Sequence, residues 1–259
     1  MKKILEEGYK KILFRLPILR LIIDPILDYQ LNKKYKQYNE VLKTFKDKHK
    51  GERCFIIGTG PSLNKTNTML LKNEINWGVN RLIETSKDIG IDCRYYGLTS
   101  GKLKVDTKML NAIDGTLFLF RLAARRYLKE NKKSNEKQPI PVKTEGLILG
   151  AKHFPKDISK YIHGGGRTII IPCLQMAYHM GFKEVYLVGC DCNYSGKAHF
   201  DGQKRPFKEK DDEEHWNTVF KAYEICKEEY EIDGRKIYNA TVGGELEVFE
   251  RRKLEDVII

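Results

Sequence analysis

Apolar residues along this chain fall into short unbroken runs separated by longer stretches with helical spacing, the alternation that builds βα units around a parallel sheet. The predicted strands are Cys54–Ile57, Trp77–Val79, Tyr95–Leu98, Thr116–Leu119, Gly146–Leu149, Val185–Val188 and Lys236–Tyr238. Runs that are apolar throughout, rather than at every second position, mark strands buried on both faces. Glycines at 164–166 open an apolar helix that Gly181 should close as a C-cap, and a further helix is expected over Thr218–Tyr230. Residues 30–50 read as a charged helix or linker, and Lys129–Gln138 as a polar loop. The pattern predicts an α/β, Rossmann-like, mostly parallel sheet with helices on both faces over 51–259. An N-terminal basic amphipathic helical arm over 1–50 precedes it.

Composition adds limits. A chain of 259 residues holds one large domain plus an appendage. No run approaches the roughly 20 apolar residues of a spanning helix. The apolar stretch near the start is interrupted by Arg15, Pro17, Arg20 and Asp24 and lacks a small-residue cleavage site, so no secretory signal is expected. Six scattered cysteines, with one Cys-x-Cys pair at Cys190 and Cys192, form neither a disulfide framework nor a zinc pattern. Reduced, buried thiols in a cytoplasmic protein are the expectation.

The net charge of +12 is uneven: residues 1–50 carry 13 Lys or Arg against 6 Asp or Glu. In the same segment Ile4, Leu5, Ile12, Leu13, Leu16, Leu19, Ile22 and Ile23 form an apolar face flanked by Lys2, Lys3, Lys10, Lys11, Arg15 and Arg20. Such a helix either lies peripherally on an anionic membrane surface or packs on its own domain or a second subunit, giving a homo-oligomer. Nucleic acid is not the expected partner, because no aromatic-basic binding motif accompanies the charge.

Two strand ends carry candidate chemistry. After Cys54–Ile57 comes Gly58-Thr59-Gly60-Pro61-Ser62, where glycines allow a sharp turn and Pro61 and Ser62 suit the first turn of a helix. The unpaired N–H groups of a helix start favour anions, so a phosphate or nucleotide is the natural guest, and a Cβ at Gly60 would occupy the space it needs. The full Gly-x-Gly-x-x-Gly fingerprint is absent, its third position being Leu63. The second corner, Gly189–Tyr194, follows Val185–Val188 and contains Asp191, which is either a ligand contact or a cap for the next turn.

These blocks, with Gly78-Val79-Asn80-Arg81 and the run Gly181-Phe182-Lys183-Glu184-Val185-Tyr186-Leu187-Val188-Gly189-Cys190-Asp191, resemble the bacterial sialyltransferases of glycosyltransferase family 42. The chain also resembles the wider DUF115 group, which includes flagellin-glycosylation accessory proteins and 6-hydroxymethyl-dihydropterin pyrophosphokinases. The resemblance implies that Gly58, Thr59, Gly60, Pro61, Ser62 and Asn80 surround the nucleotide of a CMP-sugar donor. Thr59 stands where those enzymes carry Asn. It further implies His215 as general base, with Tyr194, His199 and Arg167 steadying the departing phosphate and no metal or other cofactor required.

Read without the resemblance, His215 in Asp211-Asp212-Glu213-Glu214-His215 is a solvated loop residue, and the acidic neighbours should raise its pKa. His199 is a rival base. His153, His163 and His179 are read as structural, and Asn239-Ala240-Thr241 as a glycosylation motif without meaning in a cytoplasmic chain. The expectation is therefore a cytoplasmic, membrane-peripheral glycosyltransferase that moves a sialic-acid-like sugar from a CMP-activated donor to a glycan or glycolipid. One alternative is a Mg²⁺-dependent pyrophosphokinase with Asp191 and Asp201 as the candidate carboxylates. The other is a non-catalytic nucleotide-binding protein.

Overall fold

The computed structural model describes residues 29–258, apart from 101–102, 104, 131–137, 148–153, 165–166, 194–198, 201 and 203–211. The expected amphipathic arm over 1–28 lies outside the described residues. The strands are β1 (Arg53–Ile57), β2 (Asn76–Val79), β3 (Tyr95–Leu98), β4 (Thr116–Leu119), β5 (Ile140–Pro141), β6 (Thr144–Leu147), β7 (Ile162–Gly164), β8 (Glu184–Val188), β9 (Lys236–Asn239) and β10 (Glu250–Arg251). Eight of them form one parallel sheet in the order β10-β9-β8-β1-β2-β3-β4-β5, and β6 pairs with β7 in a separate parallel ribbon. The order runs one way from β1 to β5 and the other way from β8 to β10, which puts a topological switch point between β1 and β8. Open α/β sheets bind ligands in the crevice at the carboxyl ends there.

Strand side chains alternate between two apolar layers. Cys54, Ile56, Trp77, Tyr95, Phe118 and Leu187 enter one, and Phe55, Ile57, Tyr96, Leu117, Leu119 and Val188 the other. The first layer is covered by the helix Ile170–His179, all ten of whose residues are buried. Beside it packs the helix Asp212–Ile232, which also meets β9, through Val219, Ala222, Tyr223, Cys226 and Tyr230 at helical spacing. The one amide in the buried helix, Gln175, accepts from the His163 N–H at 2.9 Å and donates to the His163 carbonyl at 2.8 Å, pairing the backbone of β7.

The buried helix ends as expected at Gly181. Its φ is +87°, the Gly181 N–H reaches the Tyr178 carbonyl at 3.0 Å, and the Phe182 N–H reaches Ala177 at 3.2 Å. This pair of bonds is the Schellman pattern. Residues 47–51 complete the helix end, with Asp47, His49 and Gly51 donating to the carbonyls of His179, Met180 and Gly181. The segment read from the sequence as a charged helix or linker holds a short helix, Asn39–Lys43, and is packed: Leu31 and Tyr35 join one apolar layer, Leu42 and Phe45 the other. No helix among the described residues is long and apolar enough to cross a membrane.

His49 is the polar member of this junction. Buried, it has Nδ1 2.5 Å from a Glu52 carboxylate oxygen, Nε2 2.7 Å from the Tyr95 hydroxyl, and its ring stacked on Phe182 at 4.6 Å. Burial holds its pKa below the ordinary 6.5, outweighing Glu52, which acts in the opposite direction. The unfolded chain then binds the proton more readily, so the contribution to stability is complete above about pH 6.5 and is lost as pH falls below it. The urea midpoint should therefore drop between about pH 7.5 and 5.5, and drop less in His49→Gln. An equal drop in that variant would mean that His49 is not the titrating group.

Candidate functional site at the β1–β8 switch point

The ends of β1 and β8 meet without side chains between them. The Gly58 N–H donates to the Val188 carbonyl at 2.7 Å, and the Gly60 N–H to Gly189 at 2.9 Å. A Cβ on Gly58 would lie 2.4 Å from the Gly189 carbonyl oxygen, so glycine is required there. Pro61–Lys65 then forms a single 3₁₀ turn with Pro61 in its first positions.

The amino end of that turn is already bound to an anion, and it is the chain's own. Asp191 accepts from the Ser62 N–H at 3.1 Å and from the Ser62 hydroxyl at 2.7 Å, with both groups buried. A Cβ built on Gly60 would sit 1.8 Å from Asp191 Oδ2. This corrects the expectation that Gly60 leaves room for a phosphate: the space belongs to the Asp191 carboxylate.

Behind Asp191 stands the stretch after β9. The Cys190 N–H donates to Thr241 Oγ1 at 3.0 Å, the Thr241 N–H to Asn239 Oδ1 at 2.9 Å, and Asn239 Nδ2 to the Leu246 carbonyl at 2.6 Å. The Glu245 N–H reaches the Asp191 carbonyl at 2.8 Å. Arg251 clasps this loop through the carbonyls of Gly243 at 2.8 Å and Gly244 at 3.0 Å. The Asn239-Ala240-Thr241 motif is therefore buried scaffold.

In front of Asp191 lies a cleft of about 120 Å³, lined by Gly58, Thr59, Gly60, Val79, Thr168, Ile169, Ile170, Gly189, Cys190, Asp191, Cys192, Asn193, His199, Trp216 and Tyr223. His199 is tied across the first loop: its Nδ1 is 3.1 Å from Thr59 Oγ1, the Phe200 N–H donates to the Thr59 carbonyl at 2.9 Å, and Asn64 Nδ2 donates to the Phe200 carbonyl at 2.9 Å. Larger hollows lie elsewhere, one of about 1050 Å³ over Tyr186 and Tyr238. That one runs over the face of the sheet from Arg53 and Glu184, at the amino ends of β1 and β8, to Lys65, Thr66 and Thr241.

His215 differs from expectation. It is buried in the first turns of the helix Asp212–Ile232, edge-on to Trp216 at 4.7 Å, and it is Trp216 that lines the cleft. Burial, and after it the Arg167 guanidinium, hold the His215 pKa below 6.5 rather than raising it. Arg167 is itself bonded to Glu214 at 2.5 Å and adopts a φ of +62°, so the acidic neighbour is already engaged. Asn80, also left-handed at +49°, accepts from the Thr99 N–H at 3.2 Å and joins the ends of β2 and β3. Tyr194 and Asp201 lie outside the described residues. The structure thus brings Thr59, Gly60, Ser62, Asp191 and His199 together and leaves His215 behind Trp216. Trp216 and Tyr223 carried a signal that the sequence reading passed over, being seven apart on one helix and so on one face.

An open parallel sheet with a glycine-marked crevice at its switch point defines a Rossmann-like α/β protein. Residues 28–197 match the family model for 6-hydroxymethylpterin diphosphokinase MptE-like proteins, and the chain belongs to this MptE-like family. Among solved structures it is similar to the MAf glycosyltransferase from Magnetospirillum magneticum AMB-1, with 12% identity and a TM-score of 0.49, over 87% of this chain and 39% of that one. The chain thus spans well under half the length of that protein. No curated protein matches.

Gly60→Ala should lower stability by about 1–3 kcal/mol, the usual cost of forcing an atom into filled space. The same change in an Asp191→Ala background should cost less, because the oxygen it meets is gone. Chemical denaturation of the four proteins measures the coupling, and strict additivity would show that Asp191 does not fill that space.

Proposed function

We propose that this protein is a transferase that moves a sugar from a nucleotide-activated donor to a hydroxyl acceptor, with His199 as general base. The observation that carries this reading is the His199–Thr59 contact at 3.1 Å on the cleft lining. With Nδ1–H donating to Thr59 Oγ1, the second ring nitrogen holds a lone pair. It can take the proton of an acceptor hydroxyl as that oxygen attacks the anomeric carbon. The bond to the phosphate oxygen breaks with inversion, and the nucleotide leaves with the electron pair. His215 is the weaker candidate, because a base must be reachable and this imidazole is buried behind Trp216. The finer reading, a CMP-activated sialic-acid-like sugar and a glycan or glycolipid acceptor, rests on the resemblance of the glycine loop. Attachment of the basic arm to an anionic membrane surface rests on its sequence alone.

The family description favours a second reading, diphosphate transfer to a pterin. That chemistry calls for a divalent cation held by carboxylates near the phosphates. Of the two candidate carboxylates, Asp191 has each oxygen bonded to Ser62, and Asp201 lies outside the described residues.

Two measurements test the proposal. Turnover of nucleotide sugars should persist in excess EDTA, whereas Mg²⁺-dependent consumption of ATP with a pterin acceptor would establish the second reading instead. His199→Ala should lose about 10²–10⁴-fold in rate and His215→Ala much less. The reverse order would make His215 the base.

A further inference from the structure

Away from the cleft, two neighbouring helices concentrate the positive charge of the chain. Residues 29–36 are helical and lie beside the helix Arg121–Glu130. Lys34 Nζ donates to the Leu128 carbonyl at 2.7 Å, and Leu31, Tyr35, Tyr127 and Leu128 are buried in one apolar layer. The two segments hold seven basic residues and one acidic, Glu130, which amounts to half of the net charge of +12. The longer helix has two faces. Ala123, Ala124, Tyr127 and Leu128 are buried, whereas Leu122, Arg125, Arg126 and Lys129 form an exposed stripe at the i, i+3, i+4, i+7 spacing. Leu122 is 65% exposed. The stripe costs the helix stability. Arg125 and Lys129 are like charges four residues apart, and Arg121 stands at the amino end, where the helix dipole disfavours a cation. Glu130, 2.8 Å from Arg126, is the one acidic residue of this helix.

We infer that this face docks on an anionic lipid bilayer, with its basic side chains among the headgroups and Leu122 entering the acyl boundary. The inference rests on the reading of the basic arm as membrane-attached, and it adds the folded domain as a second point of contact. Residues 29–36 follow directly on the segment 1–28, whose sequence sets Ile12, Leu13, Leu16 and Leu19 among Lys10, Lys11 and Arg15. Two contacts adjacent in the chain raise each other's effective concentration at the surface. Tyr29, at their junction, is 73% exposed, and an exposed aromatic beside basic residues suits the interfacial layer. The clustered like charges disfavour a second copy of the same face. An exposed leucine in a basic stripe suits a bilayer better than a nucleic acid, because only the bilayer removes it from water.

The full chain is floated with phosphatidylcholine vesicles made with or without phosphatidylglycerol. We expect binding to the anionic vesicles that weakens as salt rises, and little binding to the neutral ones. Each basic residue near an anionic surface adds roughly fivefold to partition. The triple variant Lys33→Gln, Arg125→Gln, Lys129→Gln should therefore bind roughly 100-fold more weakly. The charge-conserving triple Lys33→Arg, Arg125→Lys, Lys129→Arg should bind as the wild type does. A third triple, Lys183→Gln, Lys221→Gln, Lys236→Gln, removes the same charge from exposed positions elsewhere, on the helix Asp212–Ile232 and at the amino ends of β8 and β9. It should lose no more than a few fold. Wild-type binding by the first triple variant, or an equal loss in the third, would overturn the docking face and leave the arm as the membrane contact. Tighter binding to a single-stranded oligonucleotide than to the anionic vesicles would also overturn it. If the wild-type chain does not bind anionic vesicles, the inference and the reading of the arm fail together.

Discussion

The ends of β1 and β8 are locked together by one carboxylate. Asp191 receives two hydrogen bonds from Ser62 while only 8% exposed, and bonds to a charged acceptor are stronger than neutral ones, the more so away from water. The lock works because Gly58 and Gly60 have no side chains to hold the two ends apart. It places Thr59 on the cleft beside His199 and leaves the start of the 3₁₀ turn with its N–H satisfied. An anionic ligand in this cleft would therefore have to find its donors elsewhere, which directs attention to Thr59, whose hydroxyl keeps its own hydrogen when its oxygen accepts from His199.

The lock is supported from a part of the chain beyond the family match, which ends at residue 197. Thr241 and Glu245 hold the backbone of Cys190 and Asp191, and Arg251 holds the loop that carries Gly243 and Gly244. The aromatic lining, Trp216 and Tyr223, also lies past the matched residues. The matched segment thus supplies six of the eight strands of the main sheet and both glycine corners, while Trp216 and Tyr223 come from the rest of the chain. Two proteins could share the first part and take different substrates.

Burial separates the histidines by what each can do. His49 and His179 sit in packed junctions, His49 between Glu52 and Tyr95 and His179 with Nε2 3.2 Å from the Leu42 carbonyl. His215 shares their burial, and desolvation keeps it neutral near pH 7 without making it reachable. His199 differs from these in being half-buried on the cleft lining.

The sequence by itself determined the sheet and its glycine corners. A parallel strand buried on both faces is apolar at every position, a local property that marked β1, β2, β3, β4, β8 and β9 to within a residue or so. Gly181 likewise announced the end of the buried helix, because the left-handed turn needs glycine whatever surrounds it. Strands β5, β7 and β10, two or three residues long, are too short to show a period, and the run expected at 146–149 pairs instead over Thr144–Leu147. Only the tertiary structure decided what occupies the first corner. Ser62 and Asp191 are 129 residues apart, and Thr59 and His199 are 140 apart. Their meeting depends on β8 lying beside β1, a strand order that hydrophobic pattern does not encode. Burial of His215 was hidden for a related reason: its acidic neighbours in sequence suggest solvent, while the helix turns the imidazole itself out of the solvent.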